Sequence, residues 1–224
     1  MPRKNNPKET VERILAASME LFYQKGFDKA TMQDIVTASQ MSKGAIFHHF
    51  KSKEEIFNTV MEKQYEYVIR EMSRRFSKLK DLTAKEKLIH LLKWNLKDDT
   101  FTASAREIVT ITNSPRLMLA ILQNSLKRSA PAVAEIIRQG TADGSITTEF
   151  PDECAEIFML LLNIWCDPYF SECDLPAIHR RMKLFQVLMK KLGVDIISDE
   201  IVTQYIKFTE KQLKEVEKWK MQHL

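Results

Sequence analysis

Residues 31–50 read TMQDIVTASQMSKGAIFHHF, and the polar groups in this stretch are spaced as a nucleic-acid contact needs them. Ser42 can cap a short helix whose first turn carries Lys43 and Gly44 and whose second carries Phe47, His48 and His49. The open backbone N–H groups at a helix start bind phosphate, and a lysine placed there can bond the O6 and N7 acceptors of guanine in the major groove. A glycine inside a helix costs about 1 kcal/mol relative to alanine. At Gly44 that cost has a reason if the backbone must come close to DNA. Adjacent residues on a helix point to different faces, so His48 and His49 do not form a metal pair and are left as DNA contacts. Lys51 and Lys53 follow at the start of the next helix, where they can reach backbone phosphates.

These residues need two short helices and a tight turn to hold them. Thr31 can cap the first helix, with Asp34 as its reciprocal partner three residues on; a turn around residues 39–41 and Ser42 then begin the second. The product is a helix-turn-helix, buried through Ile35, Val36, Met41, Ile46 and Phe50 against a preceding helix bearing Val11, Ile14, Leu15, Leu21 and Phe22 and stopped at Gly26. Ser52 with Glu55 opens a long helix to about residue 79, and Thr83 with Glu86 opens another. Further helices are expected at about 101–112, 115–128 and 131–140. Residues 140–144 read as a turn. An apolar helix begins at Pro151, reaches Trp165 and is closed by Pro168; the next runs from about 175 to 192, and the last from about 198 to 222. No segment alternates with period two. The fold class is therefore all-α, with a helix-turn-helix domain over residues 1–53 and a larger helical domain over 54–224.

Residues 1–53 carry nine Lys or Arg against five Asp or Glu, and the remainder carries 25 of each sign, so the whole net charge of +4 sits in the first quarter. Basic charge at one end is the footprint of a nucleic-acid surface. Three scattered cysteines indicate neither a disulfide framework nor a zinc site. No apolar run is long enough for a membrane span, and the polar N-terminus does not read as a signal peptide; a reduced, cytoplasmic protein is expected. No nucleophile–histidine–acid arrangement, phosphate-binding glycine loop or metal cluster is evident. An enzyme is thus disfavoured, and no cofactor is implied.

Residues 8–57 resemble the DNA-binding domain of the TetR family of transcriptional regulators. The resemblance is carried by Ala16, Leu21-Phe22, Gly26-Phe27, Thr31, Asp34-Ile35, Ser42-x-Gly44, Phe47-x-x-Phe50 and Lys53-Glu54, about 50 of 224 residues. Two positions depart from the family pattern: Gln40 stands where glycine is frequent in the turn, and Phe47 replaces a frequent tyrosine. The resemblance implies phosphate contacts at Thr31 and Ser42 and a symmetric homodimer formed by the helices at about 152–167 and 174–192. It also implies a rear-domain effector pocket, with a repressor released from palindromic DNA when the pocket fills. Candidate pocket residues are Trp94, Asn95, Phe101, Arg106, Met118, Asn124 and Trp165, suited to a flat or lipophilic molecule. Control by a partner protein is the alternative.

Overall fold

The computed structural model describes residues 7–97, 114–171 and 173–223. All regular structure among them is helical, and no helix there is long and apolar enough to cross a membrane. The expected helix at 101–112 lies outside the described residues. Two compact units divide between Ser73 and Arg74, later than the 53/54 boundary expected from sequence. The reason is that Ile56, Phe57 and Val60 at the start of the long helix are buried, with Phe57 stacked on aromatic rings of the first helix and its following turn.

The first unit contains α1 (Pro7–Lys25), α2 (Met32–Ser39), α3 (Lys43–His49) and most of α4 (Lys53–Phe76). Its core is Ile14, Phe22, Phe27, Ile35, Ile46, Phe50, Ile56 and Phe57; Val36 and Met41, also expected inside, are only half-buried. Phe22, Phe27 and Phe57 form a triangle with ring centroids 5.0, 5.2 and 6.4 Å apart. Both expected caps of the helix-turn-helix are present: Thr31 and Asp34 make a reciprocal capping box, and the Ser42 hydroxyl accepts from the Ala45 amide. Between them Gln40 takes a left-handed conformation, φ 55°, so the turn keeps the glycine-type geometry without the glycine.

The second unit holds α5 (Ala84–Asn95), α6 (Pro115–Asn124), α7 (Ala130–Asp143), α8 (Pro151–Leu160), the short α9 (Pro168–Ser171), α10 (Leu175–Lys191) and α11 (Asp199–His223). The Thr83–Glu86 capping box starts α5, and Asp174 caps α10. Leu88, Ile137, Phe158, Ile178, Met182, Phe185 and Val202 meet in one core.

Two helices here contain a widened turn that the sequence pattern does not predict, and one of them also runs on where two helices were expected. α6 runs without a break into α7 through a π turn at Ser125–Ser129. That turn precedes Pro131, and its wider backbone accommodates a ring that would otherwise strike the carbonyl one turn back. α8 likewise continues into a π turn at Leu161–Trp165. Side chains from later helices reach carbonyls at its end: Tyr205 Oη donates to Cys166 O at 3.3 Å and Arg181 Nη1 to Trp165 O at 2.6 Å.

The expected turn at residues 140–144 is corrected. α7 continues through Gly140 to Asp143 and is ended by Gly144, φ 77°. Gly140 is there for packing: a Cβ would lie 2.6 Å from Ile146 Cδ1 and 2.7 Å from its Cγ1, and Ile146 is itself buried. Gly140→Ala should therefore destabilise the second unit by about 1–3 kcal/mol through overpacking, despite alanine's better helix propensity. Urea unfolding followed by circular dichroism measures it, and a stabilised variant would refute this account of Gly140.

Candidate DNA interface

The helix-turn-helix presents one polar, cationic face. On α3 the side chains of Lys43, Phe47 and His48 are exposed, as is Gly44, and His49 is half-exposed. The Phe47 ring is 42% exposed, while Ile46 and Phe50 already fill the inward face, so the ring is not a core residue. Lys43 Nζ lies over it, 5.7 Å from the centroid, which ties the two side chains into one unit one helical turn apart. The His48 and His49 rings stand edge to face at 5.0 Å. Nothing lies within 4 Å of where a Cβ on Gly44 would stand. Among the described residues no contact calls for glycine at this position. Lys51 is exposed beside this face, and its amide donates to Glu55 Oε2 at 2.7 Å.

Two of the expected phosphate ligands are committed elsewhere. Both donors of Thr31 are spent on Asp34: its amide and its hydroxyl donate to Asp34 Oδ2 at 2.9 and 2.7 Å. The outward-facing donors at the start of α2 are then the Met32 and Gln33 amides, which have no carbonyl partner within the helix. Lys53 Nζ donates to three backbone carbonyls, those of Phe27 at 2.8 Å, Asp28 at 3.1 Å and Ala30 at 2.8 Å. An ammonium has three hydrogens, so Lys53 has none left for a phosphate in this structure. Sequence reasoning missed this arrangement because the partners lie 23 to 26 residues away.

Residues 14–60 match the family model described as bacterial regulatory proteins, tetR family. This is a TetR-family helix-turn-helix domain. The TetR-type head is 38% identical over 50 residues to the transcriptional regulator QacR of Staphylococcus aureus, covering 22% of this chain and 27% of QacR. A longer alignment, 29% identical over 130 residues, covers 57% of this chain and 63% of CymR of Pseudomonas putida. These matches span less than two thirds of either relative's length. Beyond the head, the fold is that of solved TetR-family regulators. A Syntrophomonas wolfei protein assigned to the family superposes with a TM-score of 0.59 at 18% identity, covering 92% of this chain and 95% of the other. The E. coli NemR structure gives 0.54 at 13% identity, covering 91% and 96%.

The candidate pocket residues of the rear unit are spread over several helices. Trp94 and Asn95 end α5, Met118 and Asn124 lie on α6, and Trp165 ends the π turn after α8; Phe101 and Arg106 lie outside the described residues. Arg75 stacks on Trp94 and Arg181 on Trp165, each guanidinium carbon 5.3 Å from the ring centroid. The two π turns touch through Asn163 Nδ2, which donates to Ser125 Oγ at 3.4 Å. Asn124 and Trp165 flank this pair in sequence. π turns occur often at functional sites. Asn163 could have been found from sequence as the one polar residue inside the apolar run 157–164.

The start of α2 depends on ionised Asp34. Its carboxylate accepts from Lys25 Nζ at 2.6 Å as well as from Thr31, and these bonds, that of Lys25 foremost, hold its pKa down to about 2 against an ordinary 3.8. A carboxyl whose pKa is lowered by folding contributes stability above its unfolded pKa and loses it as pH falls through the folded one. The head should therefore weaken progressively between about pH 4 and pH 2. In Asp34→Asn that part of the stability–pH curve should flatten. Thermal unfolding across this range checks the point; identical slopes in the two proteins would show that Asp34 is not the group responsible.

Proposed function

We propose that this protein is a homodimeric transcriptional repressor that binds palindromic operator DNA and is released by a small-molecule effector. The observation that carries the DNA reading is the exposed face of α3, where Lys43, Gly44, Phe47 and His48 stand together without an internal packing role. Lys43 is placed to read guanine in the major groove. Ser42, Lys51 and the first amides of α2 serve phosphates. Phe47, lacking a hydroxyl, offers apolar contact to a thymine methyl or a sugar. Repression is supported by relatives whose names state it, such as a transcriptional repressor of Mycobacterium tuberculosis, 44% identical over 45 residues that make up 20% of this chain and 24% of that protein.

Dimerisation is supported by apolar side chains left outside the rear core. Ile157 on α8 and Leu184, Val187 and Leu188 on α10 are all exposed, and such a patch marks an interaction surface. A single short recognition helix makes few contacts, whereas two related by a twofold axis read half-sites about 34–36 Å apart or a multiple of it. An effector releases DNA only by binding the DNA-incompetent state more tightly, and operator must weaken the effector by the same factor. The polar Asn163–Ser125 pair between the two π turns, beside Asn124 and Trp165, is the place where we put effector recognition.

Fluorescence anisotropy with the protein's own operator tests the DNA reading. Lys43→Ala should cost about 1–3 kcal/mol at the specific site and little on random sequence; equal losses on both would reduce Lys43 to a phosphate contact. Replacing Leu188 with Glu should give a folded monomer with poor operator affinity. Analytical ultracentrifugation reads the outcome, and a variant still dimeric at micromolar concentration would move the interface away from α10.

A further inference from the structure

Lys53 is half-buried and its ammonium is enclosed rather than extended toward solvent. Three carbonyl oxygens converge on it within 2.8–3.1 Å, and it lies 4.8 Å from the centroid of the Phe27 ring. Phe27 is itself 1% exposed and belongs to the aromatic triangle. The three carbonyls come from the turn between α1 and α2, and the next residue, Thr31, is the cap that starts α2. Lys53 is the first residue of α4. Lys51, two positions earlier, is exposed, and its ammonium makes no bond among the described residues. The two lysines therefore differ in kind, although the sequence presents them as a pair.

We infer that Lys53 is a positioning residue whose ammonium fills a carbonyl cradle, locking the first turn of α4 to the turn that starts α2. Its four-carbon stem and pyramidal head suit three converging acceptors. A planar guanidinium directs its donors in a fixed fork and cannot reproduce that arrangement. With the clamp closed, the first turn of α2 is fixed on one side of α3 and the first turn of α4 on the other. Both flanks of the recognition helix are then held in one geometry before DNA arrives, and any shift of the start of α4 is passed to the start of α2. The effect on operator affinity rests on the DNA-binding reading given above; the clamp itself does not.

The test uses the full chain. In 15N-lysine spectra of the DNA-free protein, Lys53 should give a slowly exchanging ammonium signal, identified by its loss in Lys53→Arg, while Lys51 should give none. Operator affinity is then measured across salt. Loss of a phosphate contact lowers the slope of log affinity against log salt by about 0.9, whereas loss of a clamp lowers affinity and leaves the slope unchanged. Both Lys53→Met and Lys53→Arg should weaken binding about tenfold or more with the wild-type slope, and both should lower the melting temperature of the head. The inference is overturned if no protected Lys53 ammonium exists in the free protein. It is also overturned if Lys53→Arg binds like wild type while Lys53→Met loses about 0.9 from the slope. Should Lys53→Met not fold, the arginine variant and the ammonium signal still decide. A wild-type protein that bound no DNA would remove the DNA reading alone, since the ammonium signal and the melting temperatures would still report the clamp.

Discussion

The head is organised by the burial of three phenylalanine rings. α2 and α3 have eight and seven residues, well below the length at which an isolated helix holds in water. They persist because α1 and α4 supply a frame, and Phe22, Phe27 and Phe57 join those two helices through edge-to-face and tilted contacts. Rings in such geometry add to the apolar area they bury. The consequence for DNA binding is indirect but strict. Once the frame is fixed, Ile35 and Ile46 have one place to be buried, and the opposite face of α3 is turned outward with its lysine, glycine and aromatic groups.

Polar chemistry then sharpens what apolar burial makes coarse. Asp34 gathers Lys25 and both donors of Thr31 onto one carboxylate oxygen, and Lys53 gathers three carbonyls onto one ammonium. Each is a charged group satisfied by several partners, the arrangement in which a partly desolvated charge stabilises instead of costing. In the rear unit the same logic acts on backbone groups. Where the π turn after α8 ends, Tyr205 and Arg181 bring side-chain donors from α11 and α10 to the carbonyls of Cys166 and Trp165.

The features legible in sequence are those whose partners lie three or four residues apart. Thr31 with Asp34, Ser42, Thr83 with Glu86, and Gly26 all mark helix ends that the structure has, because capping is local. The recognition helix was legible for the same reason, since its exposed and buried positions follow one helical period. What was not legible depends on distance along the chain. The Lys53 cradle and the Ser125–Asn163 bond join residues 23 to 38 positions apart. Gly140 looked like a turn because nothing local shows that Ile146 packs on its bare backbone. The π turns escaped too, because apolar spacing that fits a 3.6-residue period does not reveal one widened turn inside it.

That widened turn has a rotational consequence for α8. Each residue of a regular helix advances about 100° around the axis, and a π turn takes in one residue more than a regular turn. Everything after it is set back by about one such step. Ile164 is seven residues beyond Ile157 and in an unbroken helix would share its outward stripe. Here Ile157 is exposed and Ile164 half-buried. The π turn thus acts as a phase shifter for the residues that follow it. A one-residue deletion within 161–165 would restore the phase and leave the earlier half of the helix untouched. The same deletion a turn and a half earlier would rotate Cys154 and Ala155 out of register with Phe158 and break the core.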